Sequence, residues 1–205
     1  YIAAKPVLVD VDKDWDVSIS SLKKATTDKT KAIIIPHLFG VPSRLKPLKD
    51  YCKRNSIFII EDCAEAVGAK YKGRLVGLDG DCSCFSFFAN KTITSGEGGM
   101  AVFKKKEHAQ LARQLINHGL SNKRRYFHEY VGSNFRMTNM QAAIGLAQLE
   151  RVQELLKKRK NIFKNYNKLL SKKDNVQLLP NNNWSENSYW LYTILLKKYT
   201  RKQRD

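Results

Sequence analysis

The sequence predicts an α/β fold: a mostly parallel sheet with helices on both faces. Two observations predict it. Short runs such as AIIIP and IFII are apolar throughout rather than alternating, as in strands buried on both sides. Between them lie stretches of helical length and pattern, as in a parallel sheet whose crossovers are helices. A chain of 205 residues can bury a sizeable core and ordinarily makes one or two domains.

In order, PVLVDVD (6–12) reads as a strand and SISSLKKAT (18–26) as a helix opening on a serine cap. KAIIIPHLFG (31–40) is an apolar strand closed by glycine. RLKPLKDYCKRN (44–55) is an amphipathic helix with Pro47 in its first turn, and SIFIIED (56–62) is a second apolar strand. CSCFSFF (82–88) and GGMAVFKK (98–105) are strands flanking a loop that contains a lysine, and KEHAQLARQLINHG (106–119) is a helix stopped by glycine. Residues 137–170 form one long helix, bent near its middle, and NSYWLYTILLKK (187–198) is a strand after an Asn-rich turn. A domain transition falls inside the long helix, near residue 155, so that 1–155 is a large domain and 156–205 the start of a smaller one.

Composition excludes several classes. No run approaches the ~20 apolar residues of a membrane span. The four cysteines form neither C-x-x-C nor a Cys/His cluster, so no metal site is expected; Cys82 and Cys84 share one strand face as small core residues. A reducing, cytoplasmic setting follows. The net charge of +18 could signal nucleic acid, an anionic membrane surface or an anionic small substrate. Much of it lies in 153–174, where Leu155, Leu156, Phe163, Tyr166 and Leu170 recur at helical spacing and leave the lysines on a solvated face. With no RNP-like string and no helix-turn-helix layout, nucleic-acid binding is disfavoured.

The chemistry concentrates in IIEDCAEA and FSFFANKTITSGEGGM. In open α/β sheets, ligands lie at the carboxyl ends of strands, where Asp62 falls. Lys91 lies between an aromatic strand and a glycine-rich turn. A lysine amine and a carboxylate with apolar walls are what pyridoxal phosphate (PLP) requires: one condenses with its aldehyde, the other keeps the pyridine nitrogen protonated. At an effective dielectric near 20 and ~4 Å, such an ion pair contributes about 4 kcal/mol, or about 3 pKa units. Ser86 is a candidate phosphate ligand, and the SGEGG glycines allow a tight turn. Singly, Asp62 could be a helix cap and Lys91 an exposed lysine; together they form a specific pattern.

These strings, with KPVLVDVD, IIIPHLFG and YVGSNFRMTNMQAAIGLAQLE, resemble the DegT/DnrJ family of PLP-dependent sugar-nucleotide aminotransferases almost from end to end. The lysine segment is most similar to the perosamine- and viosamine-type branch, which makes 4-amino-4,6-dideoxy sugars. The resemblance implies a type I PLP-dependent transferase fold, aspartate aminotransferase-like. By position, Lys91 matches the Schiff-base lysine, Asp62 the pyridinium partner, Glu65 a residue facing the cofactor ring and Ser86 a phosphate ligand. Asn134 matches an asparagine that reaches the cofactor phosphate of the neighbouring subunit, which implies a homodimer or higher assembly with a shared active site. The implied reaction takes nitrogen from glutamate and gives it to a nucleotide-linked 4-keto-6-deoxy sugar. The lysine favours transamination over the dehydration catalysed by relatives that lack it.

Arg124, Arg125 and His128, in a basic loop with Lys123, either contact the substrate diphosphate or form a plain solvated loop. His37 is a structural residue or a substrate contact. Family members carry a stretch before KPVLVD and a fuller C-terminal domain, and the chain begins at Tyr1 rather than Met, so it reads as a segment of a longer or processed product. The competing expectation is a non-catalytic or regulatory protein of the same fold.

Overall fold

The computed structural model describes residues 2–205. Three parallel strands form its centre: β1 (Ala32–Pro36), β2 (Phe58–Asp62) and, after the short hairpin β3 (Lys70–Tyr71) and β4 (Arg74–Leu75), β5 (Cys82–Ser86). β6 (Gly99–Phe103) joins the far edge of β5 antiparallel, giving the order β1-β2-β5-β6. The register sets Ile34 beside Ile60 beside Cys82, and Pro36 beside Asp62 beside Cys84.

Burial alternates along β1 and β2, because successive side chains leave a strand on opposite faces. Ile33, Ile35 and Ile59 point into the core, where α1 (Ile19–Ala25) contributes Leu22 and α2 (Leu45–Arg54) contributes Leu45, Leu48 and Cys52. Each of those isoleucine and leucine side chains contributes about 1.5–3 kcal/mol of apolar transfer. The Ser18 hydroxyl accepts from the Ser21 N–H and caps α1, and Pro47 lies in the first turn of α2, where its missing N–H costs nothing.

On the opposite face the described residues provide less cover. Among the described residues only α3 (Lys106–Leu115) approaches it, through the ring contact of His108 with Phe58. Ile34 is 61% exposed and Met100 54%, and Cys84 is also exposed. Cys82 and Cys84 do share a face, but it is this open one rather than the core.

PVLVDVD does not form a strand. Val11 makes one isolated bridge, to Val17, while Val7 and Leu8 are exposed and, among the described residues, no neighbouring strand pairs with them. The long helix divides at Arg151 (φ −102°, ψ 9°) into α4 (Asn139–Glu150), opened by a Thr138–Gln141 capping box, and α5 (Val152–Leu170). Beyond it, β7 (Val176–Leu178) pairs with β9 (Ile194–Leu196), and β8 (Ser185–Glu186) joins β3 antiparallel. Only Ile194–Leu196 of the expected strand 187–198 enters a ladder. The final helix, α6, is Arg201–Arg204. Among the described residues, no helix is long and apolar enough to cross a membrane.

Candidate active site

The parallel register brings the carboxyl ends of β1, β2 and β5 to one edge, which therefore holds His37, Asp62 and Ser86. Asp62 has the parity of Ile34 and Cys84 and so stands on the open face. It is half-buried, and its Oδ1 accepts from the Ala64 N–H at 3.0 Å. The Ser86 hydroxyl accepts from the Phe88 N–H at 3.3 Å.

From Ser86 the chain enters the lysine loop, which is closed on itself. The Phe87 N–H donates to Gly98 O at 2.9 Å, and the Ser95 N–H and Thr94 hydroxyl both donate to Phe87 O. The Lys91 N–H turns back to Phe88 O at 3.0 Å. α4 lies against this loop, where a Cβ added at Gly145 would meet the Ser95 Cβ at 3.7 Å, an ordinary van der Waals contact. The Lys91 side chain is half-buried, with its ammonium over the Trp190 ring. Beside it the Thr92 hydroxyl is buried without a hydrogen-bond partner.

Behind the strand ends lies a hub that the sequence reading did not single out. Glu61 has the core parity of Ile59 and is fully buried. Its Oε2 accepts from His37 Nε2 at 3.1 Å and from the Gly77 N–H at 2.8 Å; its Oε1 accepts from the N–H groups of Asp79 and Gly80. Burial alone would push this carboxyl up, but the hydrogen bonds from His37, Gly77 and Gly80 outweigh it and hold the group at about 2. The signal was present: a carboxylate at a core parity needs donors, and GLDG supplies backbone N–H groups.

The same hub encloses His37. His37 is 1% exposed, and its Nδ1 accepts from the Ser43 N–H at 3.0 Å, so its proton is on Nε2 and directed at Glu61. Both ring nitrogens are thus engaged within the fold. Glu65 is likewise engaged: its Oε2 accepts from the Phe39 N–H at 2.6 Å, tying the loop after β2 to the 3₁₀ turn Leu38–Gly40 after β1.

The remaining candidates lie apart from this cluster. Arg124 and Arg125 are exposed and lie over the rings of Phe127 and Tyr126. His128, also exposed, donates from Nδ1 to His118 O at 2.7 Å. Asn134 is exposed as well, and its Oδ1 accepts from Arg136 Nε at 3.3 Å. None of the four hydrogen-bonds to the strand-end residues of its own chain.

The chain is 41% identical over 206 residues to the GDP-perosamine synthase of Escherichia coli O157:H7, covering 100% of this chain and 56% of that protein. It is 42% identical over 207 residues to the GDP-perosamine synthase of Caulobacter vibrioides, again covering 100% of this chain and 56% of the other. Among solved structures, Spr1654 of Streptococcus pneumoniae in its PLP form superimposes with a TM-score of 0.87 at 29% identity, over 98% of this chain and 57% of that one. The chain thus spans about half the length of the curated relatives it matches. Residues 1–205 match the model of the DegT/DnrJ/EryC1/StrS aminotransferase family, and the chain belongs to that family.

Proposed function

We propose that this chain provides the cofactor-binding part of a PLP-dependent sugar-nucleotide aminotransferase. In this reading, glutamate is the amino donor and a nucleotide-linked 4-keto-6-deoxy sugar the acceptor, giving a 4-amino-4,6-dideoxy sugar nucleotide. The observation that carries it is the meeting of Asp62, Ser86 and the Lys91 loop at one sheet edge. A GDP-linked sugar is favoured by the two GDP-perosamine synthases that match the whole chain.

The residues fit the cofactor. The Thr92 hydroxyl is a buried donor without an acceptor beside Lys91, and no carboxylate of the described residues ion-pairs with the Lys91 ammonium. When bound, PLP supplies an aldehyde that condenses with amines and a ring that withdraws electrons from the reacting carbon. Asp62 then holds a proton on the ring nitrogen, since a carboxylate opposite a pyridinium keeps that nitrogen protonated. Lys91 would hold the cofactor through its aldehyde, and its Nζ is the group that would carry a proton at the reacting carbon. Ser86 and the neighbouring backbone N–H groups bind phosphate, and Glu65, fixed by Phe39, faces the ring.

A homodimer completes the site in this reading, with Asn134 reaching the partner's cofactor. Its support is α4, whose Met140, Ile144, Leu146 and Leu149 are all exposed, whereas apolar side chains gathered on one helix are ordinarily covered. Arg124, Arg125 and His128 then meet the substrate diphosphate, and the setting is the cytoplasm.

The test is a visible spectrum of the protein with PLP, before and after glutamate, beside Lys91→Ala. A visible band that glutamate bleaches in the wild type, and that never forms in the variant, is the expected result. No band in the wild type, with Lys91 in place, would leave the fold without the chemistry.

A further inference from the structure

The Lys91 ammonium lies 3.9 Å from the centroid of the Trp190 ring. The negative face of an indole attracts a cation, more strongly as water is excluded, and Trp190 is only 8% exposed. The indole is itself fixed, because its Nε1–H donates to Asn90 O at 3.0 Å, one residue before the lysine. Arg159 on α5 closes the circuit, donating from one guanidinium nitrogen to Trp190 O at 2.7 Å and from the other to Lys91 O at 3.4 Å. One turn further along α5, Phe163 packs edge-on against Tyr189 and Tyr192, on either side of the tryptophan segment. A lysine on a flexible four-carbon stem is thereby held at its backbone and at its charged end by groups 68 to 100 residues away.

We propose that Trp190 and Arg159 are positioning residues for Lys91. The ring face and the guanidinium clamp present the amine at the sheet edge to an incoming aldehyde. This inference rests on reading Lys91 as the cofactor-binding amine, and its test separates the two.

The full chain, Trp190→Phe, Trp190→Leu and Arg159→Met are treated with PLP and then borohydride, which fixes the aldehyde carbon to any amine that has condensed with it. Incorporation at Lys91 is followed by peptide mass. The wild type should label Lys91 ahead of its exposed lysines. Trp190→Leu and Arg159→Met should slow that labelling about tenfold, while Trp190→Phe, which keeps an aromatic face, should stay within about threefold. A second readout does not need the cofactor: Lys91→Met should change the tryptophan emission of the wild type but not of the Trp190→Phe background. Equal labelling rates in the wild type and Trp190→Leu, or an equal loss in Trp190→Phe and Trp190→Leu, would overturn the proposal. So would an emission unmoved by Lys91→Met, even if Trp190→Leu fails to fold. If Lys91 of the wild type labels no faster than exposed lysines while Lys91→Met still moves the emission, the contact stands and the cofactor reading falls.

Discussion

Glu61 shows how a single side chain can organise a sheet edge without touching the reaction. Its two oxygens take hydrogen bonds from β1's end (His37) and from the 77–80 loop, immediately behind Asp62. Its carboxyl is held at about 2 in the folded chain against an ordinary 4.5. The folded value is the lower one, so the unfolded chain binds the proton more tightly. The stabilisation is complete above about pH 4.5 and is lost as the pH falls toward 2; the difference corresponds to about 3 kcal/mol. Glu61→Gln sets an amide nitrogen against a ring of donors, so it should cost about 3 kcal/mol at pH 7 in urea unfolding. The variant's stability should also fall less steeply between pH 4.5 and 2.5. Parallel pH profiles for the variant and the wild type would exclude this account.

Among the elements, the turn after β1 makes the clearest demand on sequence. Gly40 has φ +86°, and a Cβ there would lie 2.3 Å from Ser188 Oγ. That hydroxyl donates to Glu65 O at 3.0 Å, and the Ser188 N–H donates to Gly40 O at 2.9 Å. Gly40→Ala therefore combines backbone strain of about 1–2 kcal/mol with the loss of a buried hydrogen bond. The urea midpoint should fall by the equivalent of more than 2 kcal/mol, and adding Ser188→Gly should recover the steric share but not the strain. Equal midpoints for Gly40→Ala and the wild type would contradict it. The helices and the two central apolar strands were legible because their signals are local: a serine cap, a proline in a first turn, an apolar run. PVLVDVD and NSYWLYTILLKK carried the same kind of signal, but a strand also needs a neighbour. Val7 and Leu8 have none among the described residues, and Tyr189 and Trp190 leave the ladder to pack on α5 and the lysine loop.

Across the whole molecule, Lys91, Asp62 and Ser86 could be read together because each lies in a contiguous string at a strand end. Trp190 and Arg159 could not, because nothing in the local sequence marks a contact made so far along the chain. The exposed apolar side chains of α4 lead to a prediction at this scale. In sedimentation velocity the protein should run as a dimer or larger species, and Leu146→Lys on α4 should shift it toward monomer. A wild-type monomer at micromolar concentration would remove the support that α4 lends to a shared site. The stitching of the C-terminal segment onto the lysine loop also has a consequence for synthesis. The indole that covers Lys91 is translated about 100 residues later, a delay of about 5–20 s at ordinary elongation rates. For that interval the nascent chain carries Lys91 on an unfixed stem, without the ring that presents its amine at the sheet edge.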